Sequence, residues 1–460
     1  MQEKTKKNSL SLVDNPIPKT LVRITTPMIL GMAMLFTFSL VDTLFISFLG
    51  TEPLTAISFT FPVTFMIMSL AIGLGIGTSA VIAKYLGKSE FDKAKQASTV
   101  TNYLAIFCAL IIVLLCWVFN DAIFIGIGAS EEMLILIRQY MMIWLPGSIM
   151  IVAIMNGNSI LRAHGNTKTP SLLMAASGLI NAVLDPILIF GLGPVPAMGI
   201  AGAALATLIS WLIGFGYLTY LLLYRLELIS RIIPSRAVFM SSSREMLRIG
   251  IPAAGANMMT PIAAGVMTAI ASGFGESAVA AFGVGSRIEP LATLLILAMS
   301  STLPPLISQN FGAGRIDRVS EAYRISTRFI VGWQLLVYVV LAICAPLIAR
   351  IFSDDPEVIS VIKLYIWILP LGYGFQGIII LSNSSLNALH RPVEALYLSA
   401  SRFFVFYVPL AWLGSHYFGL PGFFIGAMIG NGLMAMISLR TFKKAVDLEQ
   451  RQLAPVEEPS

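Results

Sequence analysis

The chain has 460 residues, of which 57% are hydrophobic and only 12% charged, with a formal net charge of +6. A soluble domain carries about a quarter charged residues, so this composition and a mean hydropathy of +0.83 exclude a soluble enzyme or binding module and mark a polytopic membrane protein. Long apolar runs recur along the whole length, and each can cross a hydrocarbon core that takes about 20 helical residues. The strict two-residue alternation of barrel strands is missing, so the spans are helices with internally satisfied backbones.

Residues 1–19 form a polar N-terminal tail with Lys4, Lys6 and Lys7, and no short apolar core with a cleavage site follows it. The pattern then predicts twelve spans, at roughly 20–49, 54–84, 96–119, 133–157, 169–191, 199–224, 245–273, 278–310, 323–351, 357–387, 394–415 and 419–442. Six spans over 20–224 make a first lobe, and six over 245–442 make a second. The stretch 225–244, basic and with Pro234, reads as a linker, and 443–460 as a C-terminal tail. Of 30 Lys and Arg, 25 fall in the two tails and in alternate loops or the span ends that flank them, while the opposite loops carry Glu52, Asp121, Glu131, Glu132, Glu276, Asp354, Asp355 and Glu357. By the positive-inside rule both termini and the linker are expected in the cytoplasm. The basic balance is therefore topological, and nucleic acid is not an expected partner. Cys108, Cys116 and Cys344 lie inside apolar runs and suggest neither a disulfide framework nor a metal spacing.

The two lobes are copies of one unit. Val41-Asp42-Thr43 aligns with Val266-Met267-Thr268, an offset of 225 residues (266 against 41), and the same offset pairs Pro27 with Pro252, Gly50 with Gly275, Gly87 with Gly312 and Asn158 with Asn383. Each copy holds an even number of spans, so the two share one orientation, as parallel repeats about a pseudo-two-fold axis along the membrane normal. The expected fold is an all-α membrane protein of twelve helices in two six-helix lobes.

The copies differ in their buried polar residues. Asp42 on the first span and Asp185 on the fifth lie at one depth, about 10 Å from the outer helix ends. Asn181 is one turn from Asp185, and Tyr140 and Thr207 reach the same level from the fourth and sixth spans. In the second copy Asp42 becomes Met267. With the offset at 223 (Pro409 against Pro186), Asp185 becomes Val408 and Asn181 becomes Phe404, and at 220 (Gly422 against Gly202) Thr207 becomes Ala427. Ionisable groups at membrane depth are costly and mark pathways, so the first lobe is expected to hold a proton or cation site. A hydrogen-bonded cluster that only ties helices together is the plainer reading. Two carboxylates close together in low dielectric cannot both ionise cheaply, which suits a proton. The Asp, Asn and Thr oxygens of Asp42, Asn181, Asp185 and Thr207 equally suit Na⁺. Pro27, fifteen residues before Asp42, permits a kink or hinge. Gly73, Gly75 and Gly77 read as close helix packing, since neither the strand nor the Lys-Ser/Thr of a phosphate loop accompanies them. Arg138, Arg287, Glu289 and Arg402 are further charges at depth, and Arg287, Glu289 and Arg402 are candidate substrate contacts.

Twelve spans in two halves, Pro27, Val41-Asp42-Thr43, Gly87 before a basic loop, Asn181-x-x-x-Asp185-Pro186 and Gln309-Asn310-Phe311-Gly312-Ala313-Gly314 resemble the multidrug and toxic compound extrusion (MATE) family, and the acid pair resembles its DinF-like branch. The resemblance implies antiport by alternating access. Asp42 and Asp185 would couple H⁺ or Na⁺, with Asn181, Tyr140 and Thr207 around them, and Pro27 would bend on protonation. An outward-open V-shaped state would release small amphipathic or cationic drugs. The expected protein is a functional monomer in the bacterial inner membrane, with the lipid bilayer as its surroundings, without a cofactor or structural metal, and not an enzyme. A lipid-linked precursor flippase of the wider superfamily is the alternative, and it calls for a more cationic cavity than Arg287 and Arg402 supply.

Overall fold

The computed structural model describes residues 12–232 and 234–453. The polar ends of the chain, including Lys4, Lys6 and Lys7, fall outside them. Every described regular element is helical. In chain order they are α1 (Ile17–Ser47), α2 (Thr51–Gly87), α3 (Phe91–Val118), the short α4 (Asn120–Gly126), α5 (Glu131–Ala163), α6 (Lys168–Phe190), α7 (Gly199–Tyr220), α8 (Arg236–Ser272), α9 (Glu276–Ala292), α10 (Leu294–Gly312), α11 (Ile316–Phe352), α12 (Pro356–Ile368), α13 (Tyr373–Ala388), α14 (Pro392–Ser401) and α15 (Val408–Leu453).

Among the described residues ten stretches are long and apolar enough to cross a membrane, and α9 with α10 make an eleventh, bent by 46° at Thr293. The twelfth comes from α15. Its helix is interrupted at Gly419, whose φ of 63° and ψ of −151° lie outside helical space. Around that residue the chain doubles back. A Cβ on Gly414 would strike the carbonyl of Gly422, one on Gly426 that of Leu410, and one on Gly430 that of Phe406. Glycines four apart thus bring two antiparallel backbones together, the small-residue packing that membrane helices favour. Among the described residues this makes up to twelve helical stretches of spanning length, against the twelve that the apolar runs predict.

Several helices outrun their predicted bounds. The segment α8 begins at Arg236 and α11 at Ile316, because hydropathy marks the apolar stretch of a span and not the polar turns that prolong the helix beyond it. Only 226–235, between a π-helical end at Leu221–Arg225 and α8, lacks regular structure in the expected linker, apart from Ile233, which falls outside the described residues.

The chain forms two compact units, one built on Val22–Ala254 and the other on Gly255–Ser460 with Asn15–Leu21. In the first, Leu74, Leu104, Ile137, Met141, Trp144, Leu145 and Ala204 make a buried core between α2, α3, α5 and α7. Gly73 and Gly77 meet the backbone at Gly250 and Met246, and Gly75 meets Ser159, so these three glycines do serve close packing. In the second unit, Met267, Ala281, Tyr365, Ile366, Phe423, Phe424 and Ala427 form the core. The three cysteines are free.

Candidate functional site

The first unit brings its polar residues together through two parallel helices, α1 and α6. Gly31 lies against the backbone of Ser171, and Gly178 against the ring of Phe38. Both contacts follow the same step of 140 residues (171 against 31, 178 against 38), and continuing it lays Asp42 beside the turn that carries Asp185. The two carboxyls stand within hydrogen-bonding reach of each other. Carboxylates are acceptors only, so such a contact needs one proton between them.

Asp185 is fully buried, and Asp42 is half-buried. Asn181 donates from Nδ2 to Asp185 Oδ1 at 3.2 Å and to Thr207 Oγ1 at 3.4 Å, which ties α6 to α7. Tyr140, buried on α5, interacts electrostatically with both acids. Hydrogen bonds thus join Asn181, Asp185 and Thr207, and Asp42 and Tyr140 lie within electrostatic range of them. One oxygen of each acid, Asp42 Oδ1 and Asp185 Oδ2, is buried without a hydrogen-bond partner. A purely structural cluster would be expected to satisfy its acceptors, since an unpaired buried polar atom costs about 1–3 kcal/mol. This pair keeps two hard oxygens available to a proton or a small cation.

An apolar cap that sequence reasoning missed covers the layer on one side. Ile46 is one turn beyond Asp42, Ile189 one turn beyond Asp185, and Ala203 one turn before Thr207; the three form one buried cluster, flanked by Phe45, Leu49, Leu54 and Ile57. Phe45 packs edge-on against Phe190 at 6.3 Å. The i+4 spacing puts each cap residue on the face of its polar neighbour, so the signal was present in the helical period.

The equivalent positions of the second unit are apolar. Met267 and Ala427 are fully buried in its core, Val408 packs against that core, and Phe404 is exposed. Pro27 lies inside the continuous helix α1, where it removes one backbone hydrogen bond.

The remaining charges sort differently from their sequence reading. Arg138 is half-exposed and donates from Nε to Asp121 on α4 at 2.7 Å, a surface pair and not a charge at depth. That contact holds the Asp121 carboxyl below its usual range. Arg287 is exposed, and Glu289 accepts a hydrogen bond from Gln376 Nε2 at 2.7 Å. Arg402 is buried and donates from Nε to Asn431 Oδ1 at 3.0 Å. Among the described residues, no three His, Cys, Asp or Glu side chains gather as a metal site.

Comparison with known proteins matches this architecture. A family model described as MatE fits residues 27–187 and again 252–413. The two matches start 225 residues apart (252 against 27), at Pro27 and Pro252, which is the offset of the internal repeat. An "FAD transporter" of Shewanella oneidensis is 39% identical over 94% of this chain and 95% of its own length. A "Probable multidrug resistance protein NorM" of Thermotoga maritima is 25% identical over 92% of this chain and 91% of its own. A solved Vibrio cholerae MATE transporter in a bent form superposes with a TM-score of 0.90 at 33% identity, covering 97% of this chain and 99% of that one. The chain is a multi-pass membrane transporter that belongs to the MATE family of secondary transporters.

Proposed function

We propose that this protein exports flavin adenine dinucleotide, or a close anionic relative, in exchange for protons that enter at Asp42 and Asp185. The coupling half rests on one observation: two neighbouring carboxyls, each with one buried, unpaired oxygen, in a layer confined to the first of two repeats. Binding a proton or Na⁺ there changes what Asn181, Tyr140 and Thr207 can bond to. That gives a coupling ion a differential grip on two arrangements of α1, α6 and α7. Pro27 would let α1 bend as the arrangement changes.

The cargo half rests on kinship. The relative at 39% identity is named for FAD, whereas the multidrug names attach to relatives at 25%. An anionic dinucleotide replaces the cationic drug that the family resemblance first implies. Export from the cytoplasm follows if the basic tails and linker face it. The flippase alternative gains no support from these relatives.

The test uses inside-out vesicles or proteoliposomes of the full chain. Uptake of FAD and of the cationic dye ethidium is followed under an imposed proton gradient, and then under a sodium gradient at constant pH. Proton-driven FAD movement without ethidium movement supports the whole reading. Movement only with sodium changes the coupling ion. Movement of ethidium alone would return the cargo to the drug class and reject FAD.

A further inference from the structure

The second unit has a polar layer of its own. Tyr365 is the repeat counterpart of Tyr140 (365 against 140), and both are buried. Around Tyr140 the first unit places acids. In the second unit Tyr365 stands in electrostatic range of Glu289, Tyr373 and Tyr407; Gln376 bonds to Glu289, and Arg402, itself in range of Glu289 and Tyr407, bonds to Asn431. The first-copy residues aligned with Glu289, Gln376 and Arg402 are Thr64, Ile151 and Leu179. Each lobe has thus kept the tyrosine and changed its ionisable company.

Arg402 is the unusual member. It is only 9% exposed, ten residues into its span, which is about 15 Å of helix. Its one hydrogen bond goes to a neutral amide, from Nε to Asn431, and no carboxylate lies within ion-pair distance among the described residues. The guanidinium stacks over the rings of Phe403 at 4.8 Å and Tyr407 at 5.9 Å. A buried cation in this state is costly unless a second charge completes it, and its two Nη groups form a fork matched to an oxyanion. Tyr373 adds a buried hydroxyl that lies near Tyr365 but meets the geometry of no hydrogen bond.

The backbone points to the same place. The span of Glu289 breaks at Thr293, three residues past Pro290. The span of Tyr373 and Gln376 passes through a 3₁₀ segment at Leu369–Gly372, and Arg402 opens a π-helical segment, Arg402–Tyr407. Broken and π-helical spans concentrate at transporter binding sites. Here three such irregularities of one unit surround one cluster.

We infer that Arg402, with the rings of Phe403 and Tyr407, is an anion-recognition site that takes the phosphate of an aromatic phosphate-bearing substrate. The link to FAD rests on the proposed cargo, whereas the anion site itself does not. Glu289 interacts electrostatically with Arg402 and opposes an incoming anion, so it sets how tightly the phosphate is held.

Binding to the purified full chain tests this, with FAD, riboflavin (which lacks phosphate) and inorganic pyrophosphate as probes. Arg402→Gln should weaken FAD and pyrophosphate about 10- to 100-fold, as expected for a lost charge-assisted contact, and leave riboflavin nearly unchanged. Arg402→Lys should recover part of the loss. Glu289→Gln, which removes a negative charge without changing shape, should tighten both anions severalfold. The double substitution Arg402→Gln with Glu289→Gln keeps the interior neutral and controls for misfolding of the single variant. Absence of pyrophosphate binding in the wild type, or an equal loss of FAD and riboflavin in Arg402→Gln, overturns the site. Pyrophosphate binding that depends on Arg402 in a protein that does not carry FAD supports the site and rejects only the cargo.

Discussion

At the residue scale, the acid pair could be found because the repeat supplies its own control. Met267 and Val408 stand where Asp42 and Asp185 would be, inside a packed apolar core. The second copy of the scaffold thus packs without acids at these positions. Buried charge is poor value for stability, and a neutral isostere of the same shape is often tolerated or stabilising. Asp185→Asn should then melt within about 1 kcal/mol of the wild type, or above it, while losing the dependence of transport on pH. Thermal unfolding in detergent, read beside transport, checks this. A strongly destabilised Asp185→Asn protein would mean that the pair is a structural tie. The second unit's cluster was less legible. Arg402, Glu289 and Tyr365 are each visible in the sequence, but Gln376 and Asn431 look like ordinary polar residues until the helices place them beside those charges.

At the element scale, the spans were legible and their ends were not. Hydropathy identifies what lies in lipid, whereas α8 and α11 continue for a turn or more in polar sequence. The breaks at Thr293 and Leu369–Gly372 were also hidden, since each side remains apolar. Glycine spacing, by contrast, carries direct structural meaning in the Gly419 hairpin. Gly414, Gly422, Gly426 and Gly430 leave no room for a Cβ between the two strands of helix. In the first copy Gly202, the counterpart of Gly422, meets the carbonyl of Leu188 in the same way. Substituting Gly426→Leu should force the pair apart and cost about 1–3 kcal/mol, the usual penalty of overpacking. A lowered melting temperature with the acid layer's function retained, measured as pH-dependent transport at reduced temperature, is the expected result. An unchanged melting temperature would show that the two helices do not need this contact.

At the scale of the whole molecule, duplication followed by divergence is the simplest description of the chain. The family model fits it twice with the internal offset, and each unit has its own core. One copy gathered carboxyls, and the other gathered a guanidinium with aromatic faces. In this account the first unit reads the coupling ion and the second reads the cargo. Sequence made the division half visible, because lost acids are obvious in an alignment of the copies whereas a gained arginine at mid-span can equally be a snorkelling side chain. Its burial beside Asn431 removes that reading.

The most direct test of the central claim is the proton gradient itself. FAD movement should be followed in proteoliposomes of the wild-type chain and of the Asp42→Asn and Asp185→Asn variants, with the pH difference set to zero or imposed. The account predicts that the gradient accelerates FAD movement in the wild type and has no effect in either variant, with FAD binding retained in both. Gradient-driven FAD movement that survives in both variants would contradict the assignment of coupling to the first unit.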